Sequence, residues 1–249
     1  MAGSSHGRAG AARQRQCGRP PVSPGERSGH EGRGETGRSV YFRLVSDLPL
    51  DLPASAASTL LAALDREGKI GRALATLGPI ADRDVAVIGG GARELARLRA
   101  GGARVSEVAL TGVDPWPMAD NSTDTIVSAW SAFRGVSARD LAEADRVLRP
   151  RGRLIVIHDY GRDDVSRLRG DLPDYGQWSR RDGPFVRNGF RIRVLHCFWT
   201  FDGLEQAVGF LGEAFGDAGH VVGRELKRPR LSYNVAVYHR TRGGTARSS

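Results

Sequence analysis

The sequence predicts a three-layer α/β sandwich: a mostly parallel sheet, helices on both faces, and an antiparallel strand pair towards the C-terminus. Three observations predict it. Asp84-Val-Ala-Val-Ile88 runs straight into Gly89-Gly90-Gly91, and a helical pattern follows. A buried parallel strand ends in this way when it hands over to a helix. Strand and helix patterns then alternate as far as His158, which implies right-handed crossovers. Last, the chain finishes strand–helix–strand with no further long crossover.

Residues 1–40 are Gly, Arg, Ser, Pro and Glu with almost no large apolar side chains. They bury too little to offset the entropy of ordering, and read as a disordered Arg/Gly-rich tail. Residues 41–240 read as one domain, and 241–249 as a second disordered tail. The helical stripe Ala57, Leu60, Leu61, Leu64 has Ser55 as its N-cap. A second helical piece, Ile70 to Leu77, stops at Gly78-Pro79. These two either pack on the sheet or line the mouth of a ligand site.

Val85–Ile88 is the first core strand, followed by a helix over Arg93–Ala100 that Gly101-Gly102 closes. Arg104–Leu110 is the second strand. Thr111–Thr123 is a loop of Pro, Gly, Asn and Asp, and Asp124–Trp130 another buried strand. Ser137 caps a helix through Leu148, which Arg149-Pro-Arg-Gly152 ends before the strand Arg153–His158. Asp159–Asp182 is polar. A strand over Phe190–Trp199, a helix over Asp202–Phe215 and a strand over Tyr233–Tyr238 complete the pattern.

The net charge is +9, but the two tails carry +4 and +2, which leaves +3 on the body. The basicity therefore says little about a partner of the folded domain. An arginine-rich tail without aromatic residues offers no stacking surface for bases, so nucleic acid is a partner the sequence allows but does not favour. No apolar run reaches the ~20 residues that cross a bilayer, and no apolar leader opens the chain. Cys17 and Cys197 are isolated, so neither a disulfide nor a metal site is implied. A cytoplasmic protein without membrane contact is the expectation. Only two lysines occur, Lys69 and Lys227. That excludes a GxxxxGK[ST] phosphate loop and a Tyr-x-x-x-Lys dehydrogenase pair.

Two further segments carry a resemblance. Trp116 to Trp130, WPMADNSTDTIVSAW, is similar to the LPF-x-D-x-S-F-D-x-V-x-S block of class I S-adenosylmethionine-dependent methyltransferases. Ala144 to Val156, ADRVLRPRGRLIV, resembles that family's RVLKPGGRLLI block. With the glycine bend, three blocks occur in family order across roughly residues 80–160. The resemblance, nearest to the type 11 branch, implies a Rossmann-like sandwich, S-adenosyl-L-methionine as cofactor and methyl transfer to an acceptor. It implies Gly89, Gly90 and Gly91 against the methionine and ribose, with Asp114 near the ribose in a Gly112-Val-Asp-Pro115 turn. Trp130 and Ser131 would flank the cofactor where that strand ends.

The sequence departs from the family's pattern at several positions. Val87 stands where the family places an acid, and Arg93 where it places the third glycine. Glu107 falls inside the second strand and Asp114 beyond it. Residues 111–123 are too few for a helix, a strand and their loops, since a βαβ unit takes ~30 residues. One outer strand and its helix are therefore expected to be missing.

His158, Asp159 and Tyr160 end a core strand at the edge where ligands bind in open α/β sheets. His158 is a candidate general base because its ordinary pKa lies near neutral. The alternative is a strand-end cap and a surface turn. Asp163 and Asp164 with His158 match no closed metal site, and no metal is expected. Three functions compete. The first is a methyltransferase. The second is a degenerate member serving as a binding or scaffold module. The third is a nicotinamide oxidoreductase, against which Glu94 stands where GxGxxG needs its last glycine.

Overall fold

The computed structural model describes residues 50, 52–89, 92–110, 115–133, 136–170 and 173–243. The two expected tails, Gly90, Gly91 and Asp114 lie wholly or mainly outside them. Helices α1 (Ala54–Ala63) and α2 (Lys69–Thr76) precede β1 (Asp84–Ile88), α3 (Ala92–Ala100), β2 (Arg104–Val108) and β3 (Thr123–Ala129). Then come α4 (Ala138–Val147), β4 (Leu148–Asp159) and the short helices α5 (Asp164–Leu168), α6 (Pro173–Trp178) and α7 (Pro184–Arg187). The chain ends with β5 (Arg191–Thr200), α8 (Leu204–Glu225) and β6 (Arg230–Thr241).

The six strands form one sheet in the order β2-β1-β3-β4-β6-β5. The first four are parallel; β6 runs antiparallel to β4, and β5 antiparallel to β6. This is the expected Rossmann-like sandwich with its antiparallel finish. Among the described residues the sheet stops at β2, so the outer strand the spacing ruled out is not there. Arg104, Ser106 and Glu107 are exposed along this margin.

Alternation along the strands divides the core in two. Val85, Val87, Val127, Ile155 and Ile157 meet Leu60, Leu74, Leu95, Leu98 and Phe210 on one face. Ala86, Ile88, Ile126, Leu154 and Val156 meet Leu141, Ala144, Val147, Phe185 and Phe190 on the other. Each Val, Leu, Ile or Phe among them contributes about 1.5–3 kcal/mol by leaving water. The first two helices pack against the sheet: Leu64 bridges Trp199 of β5, and α1 and α2 supply Ala56, Leu60, Ile70 and Leu74 to the first core.

Three local expectations need correction. Ser55 is no cap: Pro53 occupies that position, and the Ser55 hydroxyl donates to Glu213 at 2.6 Å. Arg149–Gly152 does not end the helix in a turn but lies inside β4, because Leu148 already pairs with Thr123 and Arg153 with Thr125. The residues between bulge out, with Arg151 at φ +65°. The last helix does not stop at Phe215. Gly216, at φ +57°, reverses its direction, a turn open to a residue without Cβ, and helix resumes to Glu225. Ser137 does cap α4, accepting from the Asp140 amide at 3.0 Å.

Candidate functional site

From β1 the chain steps outward to β2, then crosses back to β3 on the other side of β1. Helix α3, which follows β1, packs on one face through Leu95 and Leu98. Helix α4, which follows β3, packs on the opposite face through Leu141, Ala144 and Val147. The two connections part company between β1 and β3. In open α/β sheets ligands bind at such a point, beyond the carboxyl ends of the strands.

Gly89 and Trp130 stand just past the ends of β1 and β3, on either side of this point. Gly89 is buried and has φ +63°. That left-handed backbone costs any other residue about 1–2 kcal/mol. A residue without a side chain at that point presents main chain alone, ahead of the N-terminus of α3. A nucleoside-type cofactor approached through backbone groups fits such a bend. Gly90, Gly91 and Asp114 lie outside the described residues.

The loop after β3 is strained. Trp130, Phe133 and Val136 all have positive φ, at 47°, 64° and 53°. Each costs of order 1–3 kcal/mol, and such conformations cluster at binding sites. What holds the loop is a buried polar network. The Trp130 indole N–H donates to Asp159 Oδ1 at 3.1 Å and to the Tyr233 hydroxyl at 2.9 Å. The Tyr233 hydroxyl donates to the same Oδ1. Arg169 pairs with Oδ2 at 2.6 Å, and the Asp159 side chain is only 1% exposed. Burial above all, then the Asp159 charge, pushes the Tyr233 hydroxyl well above its ordinary pKa. Trp130 also stacks on Tyr233, with ring centres 6.5 Å apart.

Asp159 is therefore no surface turn. Its carboxylate is committed to Trp130, Tyr233 and Arg169. His158 is buried too: Nε2 lies 3.1 Å from the Ala132 carbonyl, so that nitrogen carries the proton, and the ring leans on Trp178. Ser131 is half-buried at the bend between them. The Tyr160 ring is half-buried with Arg162 over its face at 5.9 Å, and its amide donates to the Asn234 carbonyl.

Asp163 caps α5 by accepting from the Ser166 amide at 2.7 Å and also accepts from the Asn234 amide at 2.8 Å. Burial raises its pKa. Asp164 instead holds Ser232. Among the described residues no three His, Cys, Asp or Glu side chains come together as a metal site.

Arg169, Tyr233 and the Arg146 clamp were not legible as site residues. Arg146 reaches the Trp116 and Met118 carbonyls at 3.1 and 2.8 Å, and pairs with Asp120 and Glu143. Glu143 also accepts from the Trp116 amide at 2.7 Å. The loop that bears the first resemblance block is thus pinned to α4. A basic residue in the last turn of an amphipathic helix was its sole signal. Arg169 and Tyr233 lie 10 and 74 residues from their carboxylate, too remote for any spacing rule.

No protein-family model matches the chain, and no curated protein matches it. Solved structures match at the level of fold. One is a protein of Anabaena variabilis provisionally named as a methyltransferase of an antibiotic biosynthesis pathway, with TM-score 0.46, 13% identity, and coverage of 72% of this chain and 98% of that one. Another, from Anaeromyxobacter dehalogenans, is provisionally named a type II methyltransferase, with TM-score 0.43, 18% identity and coverage of 68% and 95%. A third is the YcgJ protein of Bacillus subtilis, with TM-score 0.38, 16% identity and coverage of 71% and 98%. No chemistry is carried over from them. Among the described residues no helix is long and apolar enough to cross a membrane.

Proposed function

We propose that this chain is an S-adenosyl-L-methionine-dependent methyltransferase. One observation carries the reading: a left-handed glycine ends an interior strand, β1, at the point where the sheet changes winding direction. The three sequence blocks in family order support it. Gly89, with Gly90 and Gly91, would hold the cofactor through main-chain groups, and Asp114 would take the ribose side. The bound cofactor supplies an electrophilic methyl group. Trp130, fixed by Asp159 and Tyr233, forms the far wall, and Ser131 lies beside it.

Transfer from a sulfonium needs mainly alignment of the acceptor. His158, Asp159 and Tyr160 then serve best as the frame that orients an acceptor at the edge of β4. Calorimetric titration of the full chain with S-adenosylmethionine, S-adenosylhomocysteine and NADH tests the reading. Binding of the first two, and its loss in Gly89→Val, is expected. Silence towards both would leave a scaffold module, and a response to NADH alone an oxidoreductase.

A further inference from the structure

The opposite margin of the sheet carries a surface that methyl transfer does not use. β5 is the last strand, and its register with β6 is unbroken from Arg191 opposite His239 to Thr200 opposite Arg230. In such a strand the outward-facing main-chain groups belong to alternate residues. Two contacts fix which ones. The Phe198 carbonyl accepts from the Asp65 amide at 3.1 Å, and the His196 carbonyl from Lys69 Nζ at 2.5 Å. Even-numbered residues therefore face away from β6. The N–H and C=O groups of Ile192 and Val194 point outward by the same rule, and among the described residues nothing pairs with them.

Beside this stretch lies a groove of about 530 Å³ between α2 and β5. Ala73, Val194 and Leu195 give it apolar walls, and Lys69, Arg72 and Arg193 a cationic rim. Arg191 and Arg193 are exposed. Among the described residues neither they nor Arg72 lies within ion-pair distance of a carboxylate; Lys69 alone has one, Glu67 at 2.6 Å. Their combined field is felt at His239, whose pKa is lowered first by burial and then by Arg191, Arg193 and Arg153.

An unpaired ladder beside a cationic groove selects its occupant. A second copy is disfavoured, because two β5 strands laid antiparallel would bring arginines face to face. Single-stranded nucleic acid needs exposed rings for its bases. Phe198, on the same strand, is half-buried with Lys69 and Arg230 over it at 5.3 and 4.6 Å, and the His196 ring that lines the groove is hydrogen-bonded to Asn234 at 2.9 Å. An extended polypeptide uses both features at once, since main-chain bonds give affinity and alternate side chains give specificity.

We propose that β5 and α2 form a docking groove for an extended acidic polypeptide segment. It adds as a further strand on Ile192 and Val194, with its carboxylates on Arg72, Arg191 and Arg193. This surface is independent of the methyltransferase reading, and either can fail alone.

The test is fluorescence anisotropy of a labelled hexapeptide of alternating glutamate and valine, titrated with the full chain. Saturable binding is expected. It should weaken at least tenfold in Arg191→Glu/Arg193→Glu, whose side chains are exposed and whose fold can be checked by circular dichroism. Val194→Pro removes an outward N–H without touching the β6 ladder and should weaken binding similarly. A peptide N-methylated along one edge should bind at least tenfold worse. Equal binding of the N-methylated peptide, or indifference to both variants, would overturn the proposal. So would displacement by an oligonucleotide of equal charge at equal concentration, which would make the surface a nucleic-acid one.

Discussion

At the end of β1 the chain offers main chain: Gly89, buried, with φ +63° and no side chain to obstruct a ligand. At the end of β4 it offers side chains, and they are already engaged. Asp159 is held by Trp130, Tyr233 and Arg169 within a sealed network. The first end suits a cofactor recognised by backbone geometry. The second stores no reactive group in the open; it fixes a strained loop in place. The lesson is that residue type at a strand end says little about its work. A carboxylate placed where a catalytic acid is expected can be consumed entirely in positioning.

The largest effect expected from breaking this contrast lies at Asp159. Asp159→Ala removes the carboxylate that Trp130, Tyr233 and Arg169 share and breaks a buried ion pair, and should cost about 3–5 kcal/mol in urea unfolding. The exposed carboxylate Glu107 serves as the control, since Glu107→Ala should stay within about 0.5 kcal/mol. Equal effects at the two positions would dissolve the distinction between a committed and a free carboxylate.

At the glycine end the effect should fall on binding rather than folding. Gly89→Val should lower stability by only about 1–2 kcal/mol, while the S-adenosylmethionine isotherm flattens. An unchanged isotherm would move the pocket elsewhere.

A smaller change probes α4, the helix that follows the strained loop. Ser137→Ala removes the α4 cap and should cost about 1 kcal/mol by thermal unfolding.

The pH dependence sharpens the comparison from the amino end of the sheet. Asp84, at the start of β1, accepts from Arg104 and Arg149, each at 2.7 Å. These bonds hold its pKa down at about 2, against an ordinary 3.8. A carboxylate depressed on folding stabilises the native state above its unfolded pKa, and that contribution is lost as pH falls through the folded value. Stability should therefore decline between pH 3.8 and about 2 less steeply in Asp84→Asn than in the parent chain. Parallel acid limbs would deny Asp84 this role.

The smallest effect concerns Cys197, whose thiol burial pushes up to about 12. It should resist iodoacetamide at pH 8 in the folded protein and react once urea is added, as peptide mapping would show.

Much of the fold could be read from local pattern. The four parallel strands, the capped α4 and the antiparallel finish were each carried by apolar periodicity and a few glycines. That no outer strand follows β2 among the described residues was legible by counting, because residues 111–123 cannot hold a further helix and strand with their loops. What failed did so for identifiable reasons. Arg149–Gly152 carries a turn former, yet pairing with Thr123 keeps it in the sheet. Ser55 has the chemistry of a cap, but Glu213 of α8 claims its hydroxyl. At the candidate site, a glycine cluster and a strand end pointed to Gly89 and Trp130. The partners that determine what Asp159 does were invisible, since Arg169 and Tyr233 meet it only across the folded chain.

By itself the sequence determined which segments are strands and helices, where the glycine bend falls and how long the sheet can be. Those properties depend on neighbours within a few turns of chain, where side-chain periodicity and backbone sterics act directly. The tertiary structure alone decided that Asp159 and His158 are buried and bonded, that Trp130 is locked against Tyr233, and that among the described residues nothing pairs with the outward main chain of Ile192 and Val194 on the cationic edge of β5. Burial and charge pairing depend on groups far apart in sequence, and only their assembly assigns each carboxylate a partner.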